Sequence, residues 1–229
     1  MKHLIQFLAL VITTTLLFLS IQMTTAAAVA GNGGKTTAVL DTYGKPLKAG
    51  QNYYIVPTSG KATGGGFTWK RLPKWPKYPK YYVEQLKQRT NFGDPINFDT
   101  INPSKSSTII SISSNIKVNF STLAVQKYGN SNWEVVRSGS DGAKWVVEIG
   151  VVRPKILSHI KFTIERHNKE VGYMIKHCSS DLVCGGIGLV YDYYVGQILG
   201  VNATYPMAVV FEPGLFFTGE TFNKSTSDT

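Results

Sequence analysis

The chain has 229 residues, a formal net charge of +10, 43% hydrophobic residues and 17% charged ones. That composition excludes a disordered or fibrous protein and holds enough apolar matter for one ordinary domain, or two small ones. The basic balance points to acidic partners, but by itself it selects none of them.

Lys2 and His3 precede an apolar run from Leu4 to Ile21, and Ala28-Val29-Ala30 follows as an A-x-A cleavage signal. Residues 1–30 therefore read as a secretory signal peptide, cut at about 26–30. The alternative is an uncleaved anchor, since a run of this length nearly spans a bilayer. Gln6 and Thr13 to Thr15 dilute it, however, and the small-residue site follows it. Removal takes Lys2 and no acidic residue, so the charge falls by one, from +10 to +9. No later segment is apolar for long enough to span. Three N-x-[ST] acceptors, at Asn119, Asn202 and Asn223, agree with an exported chain.

The stretch Val39 to Ile55, VLDTYGKPLKAGQNYYI, opens the folded part. Asp41, Gly44 and Pro46 are turn formers, and Tyr53, Tyr54 and Ile55 suit a pleated, half-buried strand. Beyond it, short strands and turn signals alternate. The strands expected are Tyr53–Val56, Gly66–Trp69, Tyr81–Gln85, Thr108–Ile112, Ile116–Phe120, Trp133–Val136, Trp145–Ile149, Lys161–Glu165, Tyr173–His177, Ile187–Tyr191, Gln197–Val201 and Met207–Phe211. This spacing predicts an all-β sandwich or barrel over 38–214, followed by a polar tail at 215–229.

Enzymatic motifs are weak, and no cofactor or metal is expected. Gly34-Lys35-Thr36 is similar to the end of a phosphate-binding loop, but Val29 stands where its first glycine belongs. Gly139-Ser140-Asp141-Gly142 reads as a hairpin turn. His159, His167 and His177 lie among basic residues and read as surface or hairpin positions. Cys178 and Cys184 are the only cysteines. In an oxidising compartment they would close a short disulfide loop, stabilising by about 2 kcal/mol on the chain-entropy model. The alternative is a metal pair with His177, which leaves the coordination shell short.

The 39–55 pattern resembles the N-terminal signature of the plant Kunitz-type protease inhibitors of the soybean trypsin inhibitor family. The resemblance continues through Gly60-Lys61-Ala62-Thr63-Gly64-Gly65-Gly66, Asn115-Ile116-Lys117, Trp133-Glu134-Val135, the Cys178–Cys184 hairpin and Met207 to Phe211. It implies a β-trefoil, three pseudo-repeats of four strands, placed at roughly 38–98, 99–150 and 151–214. It also implies a protease-binding loop at Asn102-Pro103-Ser104-Lys105-Ser106-Ser107. Lys105 would enter the specificity pocket of a trypsin-like enzyme, or Ser106 if the register shifts by one. Lys169, in Arg166-His167-Asn168-Lys169-Glu170, is an alternative protease-binding position.

Two departures bear on inhibition. The family's loop-bracing asparagine is replaced by Ala49, which cannot donate its hydrogen bonds. The family's first disulfide is missing, with residues near Tyr78 and Lys127 in place of its cysteines. Where that first cysteine would lie, Pro73-Lys74-Trp75, Pro76-Lys77-Tyr78 and Pro79-Lys80-Tyr81 repeat a Pro-Lys-aromatic triplet. In polyproline II this would align Trp75, Tyr78 and Tyr81 as one ridge beside a ridge of lysines. The expected function is inhibition of a secreted endopeptidase, serine type favoured, by a monomer in the apoplast or vacuole, without nucleic acid or membrane as partner. The alternative is a non-inhibitory trefoil that binds acidic glycans or a protein partner through the 73–81 ridge.

Overall fold

In strand β1 (Asn52–Pro57), half-buried and buried residues alternate, so Tyr53 and Ile55 turn inward and Tyr54 outward. A computed structural model of the chain describes residues 37–58, 64–72, 80–101, 108–121, 131–138, 144–150, 157–180, 183–202 and 204–214. Among these residues there are twelve strands and no helix. After β1 come β2 (Phe67–Arg71), β3 (Tyr81–Gln85), β4 (Ile96–Thr100) and β5 (Ile116–Phe120). They are followed by β6 (Trp133–Arg137), β7 (Trp145–Ile149), β8 (Phe162–Arg166) and β9 (Tyr173–Cys178). The last three are β10 (Cys184–Asp192), β11 (Gly196–Val201) and β12 (Val209–Pro213).

Six strands close a barrel, which leaves no free edge for another chain to extend. β1 pairs with β12 and β4, β4 with β5, β5 with β8, β8 with β9, and β9 returns to β12, all antiparallel. The other six form the hairpins β2–β3, β6–β7 and β10–β11. These meet through the pairs Tyr82↔Glu148 and Gly200↔Val146. β10 serves both layers: Cys184 to Gly186 pair with β9, and Ile187 to Asp192 pair with β11. The barrel pairings and the hairpins recur every four strands, and the fold is a β-trefoil of three four-strand pseudo-repeats.

Two aromatic clusters fill the interior. Fully buried Trp133 joins hairpins to barrel, with ring centroids 6.0 Å from Phe67, 5.9 Å from Phe120 and 6.3 Å from Phe162. Phe98 and Phe211 meet edge to face at 5.5 Å, flanked by Tyr53 and Tyr173, and so tie the first repeat to the third. The turn before β1 forms as its residues require. Asp41 Oδ1 accepts the Tyr43 and Lys45 amides at 2.9 Å, and Gly44 takes the left-handed φ of 74° that a side chain disfavours.

Three expectations are corrected. Thr108–Ile112 is not a strand; it makes only isolated bridges, Lys48↔Ile109 and Ala38↔Ser111. The strand is Ile96–Thr100, where Asn97 and Asp99 look like turn formers but face outward while Ile96 and Phe98 are buried. The repeat boundaries move as well, because β8 pairs with β5 and so completes the second repeat, and the third begins at β9. The disulfide expected at Cys178–Cys184 is present, joining directly opposed residues of β9 and β10. It rules out the metal pair, because bridged sulfurs are not thiolate ligands.

Candidate functional site

The connection from β4 to β5 is held at both ends. Residues Asn102 to Ser107 themselves lie outside the described residues. On one side, Ile101 N donates to Asn115 O at 3.2 Å. On the other, Thr108 O accepts the Ala49 amide at 2.6 Å, and Lys48 bridges Ile109. Farther along, Ile110 N donates to Leu47 O and Ile112 N to Thr37 O, while the Ile110 side chain is fully buried. The segment 37–49 is therefore sewn along the loop's exit. Ser113 closes the turn into β5 at a φ of 60°, uncommon for a residue with a side chain. The second repeat holds it there: Ser113 N donates to Ile164 O at 3.0 Å and Ser113 Oγ to Glu165 at 2.8 Å.

Ala49 is half-buried and packs on the core, with its backbone amide spent on Thr108. Its methyl group supplies no side-chain donor to this connection, as the sequence implied. Lys169 is exposed between β8 and β9, where His167 Nδ1 accepts the Lys169 and Glu170 amides.

Other expected site residues fall differently. Trp75 and Tyr78 lie outside the described residues, whereas Tyr81 is buried in β3, edge to face with Trp69 at 5.4 Å. It cannot belong to an exposed ridge, because its position in β3 points it into the core. Asn119 is also buried, and its Nδ2 donates to Asn97 Oδ1 at 3.0 Å and Asp99 Oδ2 at 2.9 Å. A glycan on that nitrogen has no room in the folded chain, so Asn119 drops out as an acceptor. Asn202 is half-buried; its Oδ1 accepts the Thr204 and Tyr205 amides and its Nδ2 donates to Leu189 O. Asn223 lies outside the described residues.

His177, expected at the surface, is fully buried on β9 against Phe162, with centroids 5.5 Å apart. Nδ1 donates to Lys161 O at 3.0 Å, and Nε2 has no partner among the described residues. Burial holds its pKa below the ordinary imidazole value, and the His159 and Lys161 charges push the same way against the Lys161 carbonyl. The unfolded chain takes up this proton below about pH 6.5 and the folded chain resists it. Stability present above that pH is therefore lost as pH falls further. Urea midpoints between about pH 7.5 and 5 are expected to slope downward, and His177→Phe to flatten the slope. An unchanged slope would assign it to other groups.

A closed six-stranded barrel capped by three hairpins defines a β-trefoil, here with a β4–β5 connection pinned at both ends. Residues 39–213 match the legume Kunitz family model, described as trypsin and protease inhibitor, and the chain belongs to that family. It is similar to sporamin B of Ipomoea batatas, 28% identical over 182 residues, covering 77% of this chain and 81% of that protein. Miraculin of Synsepalum dulcificum is 25% identical over 189 residues, covering 78% of this chain and 84% of that one. Among solved structures, a Kunitz type trypsin inhibitor from Cicer arietinum superposes with a TM-score of 0.65 at 25% identity. That match covers 77% of this chain and 98% of the inhibitor. Among the described residues, no group of three or more His, Cys, Asp or Glu could hold a metal ion.

Proposed function

We propose that this protein is an exported inhibitor of a serine endopeptidase, which presents residues 102–107 to the enzyme cleft as a substrate would, with Lys105 in the specificity pocket. The observation that carries this reading is the double anchorage of the connection, through Ile101 to Asn115 and through Thr108 to Ala49. A loop whose ends are already fixed loses less entropy on binding and resists release after cleavage. A basic residue at the tip suits an enzyme whose specificity pocket carries a buried acid. A cleft of about 860 Å³ is lined in part by Lys48, which bridges Ile109 at the loop's exit. The apolar run Leu4–Ile21 and the Cys178–Cys184 bridge support export into an oxidising compartment, apoplast or vacuole.

Titration of trypsin, chymotrypsin, subtilisin and papain with purified protein tests the proposal: stoichiometric loss of trypsin activity supports it, and full activity at excess protein ends it for those enzymes. Ala49→Asn is a gain-of-function test. An asparagine there can donate to the loop from within, and the inhibition constant is expected to fall about tenfold by preorganisation. An unchanged constant would mean that position 49 does not brace the loop.

A further inference from the structure

The tip of the β10–β11 hairpin carries three large aromatic side chains in water. Tyr191, Tyr193 and Tyr194 are 64%, 77% and 70% exposed, and the Tyr193 and Tyr194 rings meet edge to face at 5.2 Å. Exposed aromatic rings are common singly, but three within four residues form a surface that asks for a ligand. The turn beneath them is firmly built. Asp192 is buried, its Oδ1 accepts the Tyr194 and Val195 amides, and its Oδ2 accepts the Ser138 hydroxyl. Gly196 closes the turn at a φ of 86°, the left-handed position of a three-residue hairpin loop. The rings are thus displayed on a rigid frame, which lowers the entropy lost on binding.

Two cations belong to the adjoining β6–β7 hairpin, whose Ser138 donates to Asp192. Lys144 Nζ donates to Tyr191 O at 2.7 Å, and the Arg137 guanidinium lies 5.4 Å over the Trp145 ring, directly across from it in the β6–β7 pair. Among the described residues, the one acid that shapes the turn is buried with both oxygens engaged, and Lys144 and Arg137 are the cations of the adjoining hairpin.

We infer that this surface binds an anionic polysaccharide, a chain of pyranose rings bearing carboxylates. Tyrosine faces stack on the C–H faces of sugar rings while their hydroxyls stay hydrated. Lys144 and Arg137 pair with carboxylates, and Arg does so through two parallel donors. A membrane is a poorer fit: Val195, the only aliphatic residue in the turn, is buried, so no apolar wedge remains to enter lipid. A tip three residues wide also falls far short of the roughly 800 Å² each partner buries in a stable protein complex. The site is separate from the β4–β5 connection, and its failure would leave the inhibition reading untouched.

The experiment is affinity electrophoresis of the full exported chain in gels containing polygalacturonate, with the fully methyl-esterified polymer as the neutral comparison. Retardation is expected in the acidic gel and not in the neutral one. Tyr193→Ala/Tyr194→Ala should weaken it about tenfold, since stacking carries much of the contact. Tyr43→Ala, an equally exposed tyrosine on another turn, should leave retardation unchanged. Because the two tip rings are exposed, the double variant is expected to keep its melting temperature. Absent retardation, equal retardation of the double variant or equal retention by the neutral polymer would each overturn the inference. So would self-association in sedimentation that the double variant abolishes, or comparable binding to anionic phospholipid vesicles.

Discussion

Trp133→Ala is expected to lower the unfolding free energy by about 3–5 kcal/mol, the usual cost of emptying a large aromatic site. Total stabilities are commonly about 5–15 kcal/mol, so this one change removes a large share. Trp133 comes from the β6–β7 hairpin, Phe67 from the β2–β3 hairpin, and Phe120 and Phe162 from the barrel. Its indole is the common neighbour through which cap and barrel share one core. Neighbours on closed strands cannot collapse into the space, so most of the cavity persists. Urea unfolding at equilibrium measures the loss, with Trp133→Phe expected to fall between wild type and Ala. A cost below about 1 kcal/mol would mean the site refills and the two layers are not coupled through this ring.

Lys105→Ala is expected to raise the inhibition constant for trypsin by about 10²–10³-fold, the scale of a fully desolvated interface anchor. The physical source is the buried acid of the enzyme's specificity pocket, which is left unpaired when the ammonium is removed. Lys105→Arg should retain inhibition, and Lys169→Ala should leave it unchanged. Loss through Lys169→Ala instead would transfer the site to the β8–β9 turn. Loss through Ser106→Asp with Lys105→Ala silent would shift the register by one residue. Unfolding curves of the same variants separate binding from folding.

How much of this was legible in the sequence depended on the residue. Ile116–Phe120 alternates cleanly, Trp145–Ile149 and Tyr81–Gln85 are aromatic and β-branched runs, and the bounds of all three match the strands observed. Ile96–Thr100 was hidden because Asn97 and Asp99 resemble turn residues; only their pairing with Asn119 across β4–β5 explains them. Thr108–Ile112 is as rich in β-branched residues as any strand, yet its partners are the irregular 37–49 segment, so only isolated bridges form. The motif Asn119-Phe120-Ser121 carries no sign that its asparagine is walled in by two neighbouring strand residues. For the candidate site, the resemblance is what points to Lys105 and Ala49, whereas the anchorage of Ile101 and Thr108 needed the fold.

The residues alone determined a β architecture, the Cys178–Cys184 hairpin and the family, because strand period, cysteine spacing and signature are local or lie in fixed order. Only the tertiary structure decided which aromatic rings reach solvent. Tyr81 and the trio at 191, 193 and 194 look alike as sequence, since a period of two names two faces of a strand without saying which is covered. Hairpin packing covers Tyr81, and the turn built on Asp192 leaves the others in water. Burial depends on what lies across from a side chain, and that neighbour comes from another part of the chain.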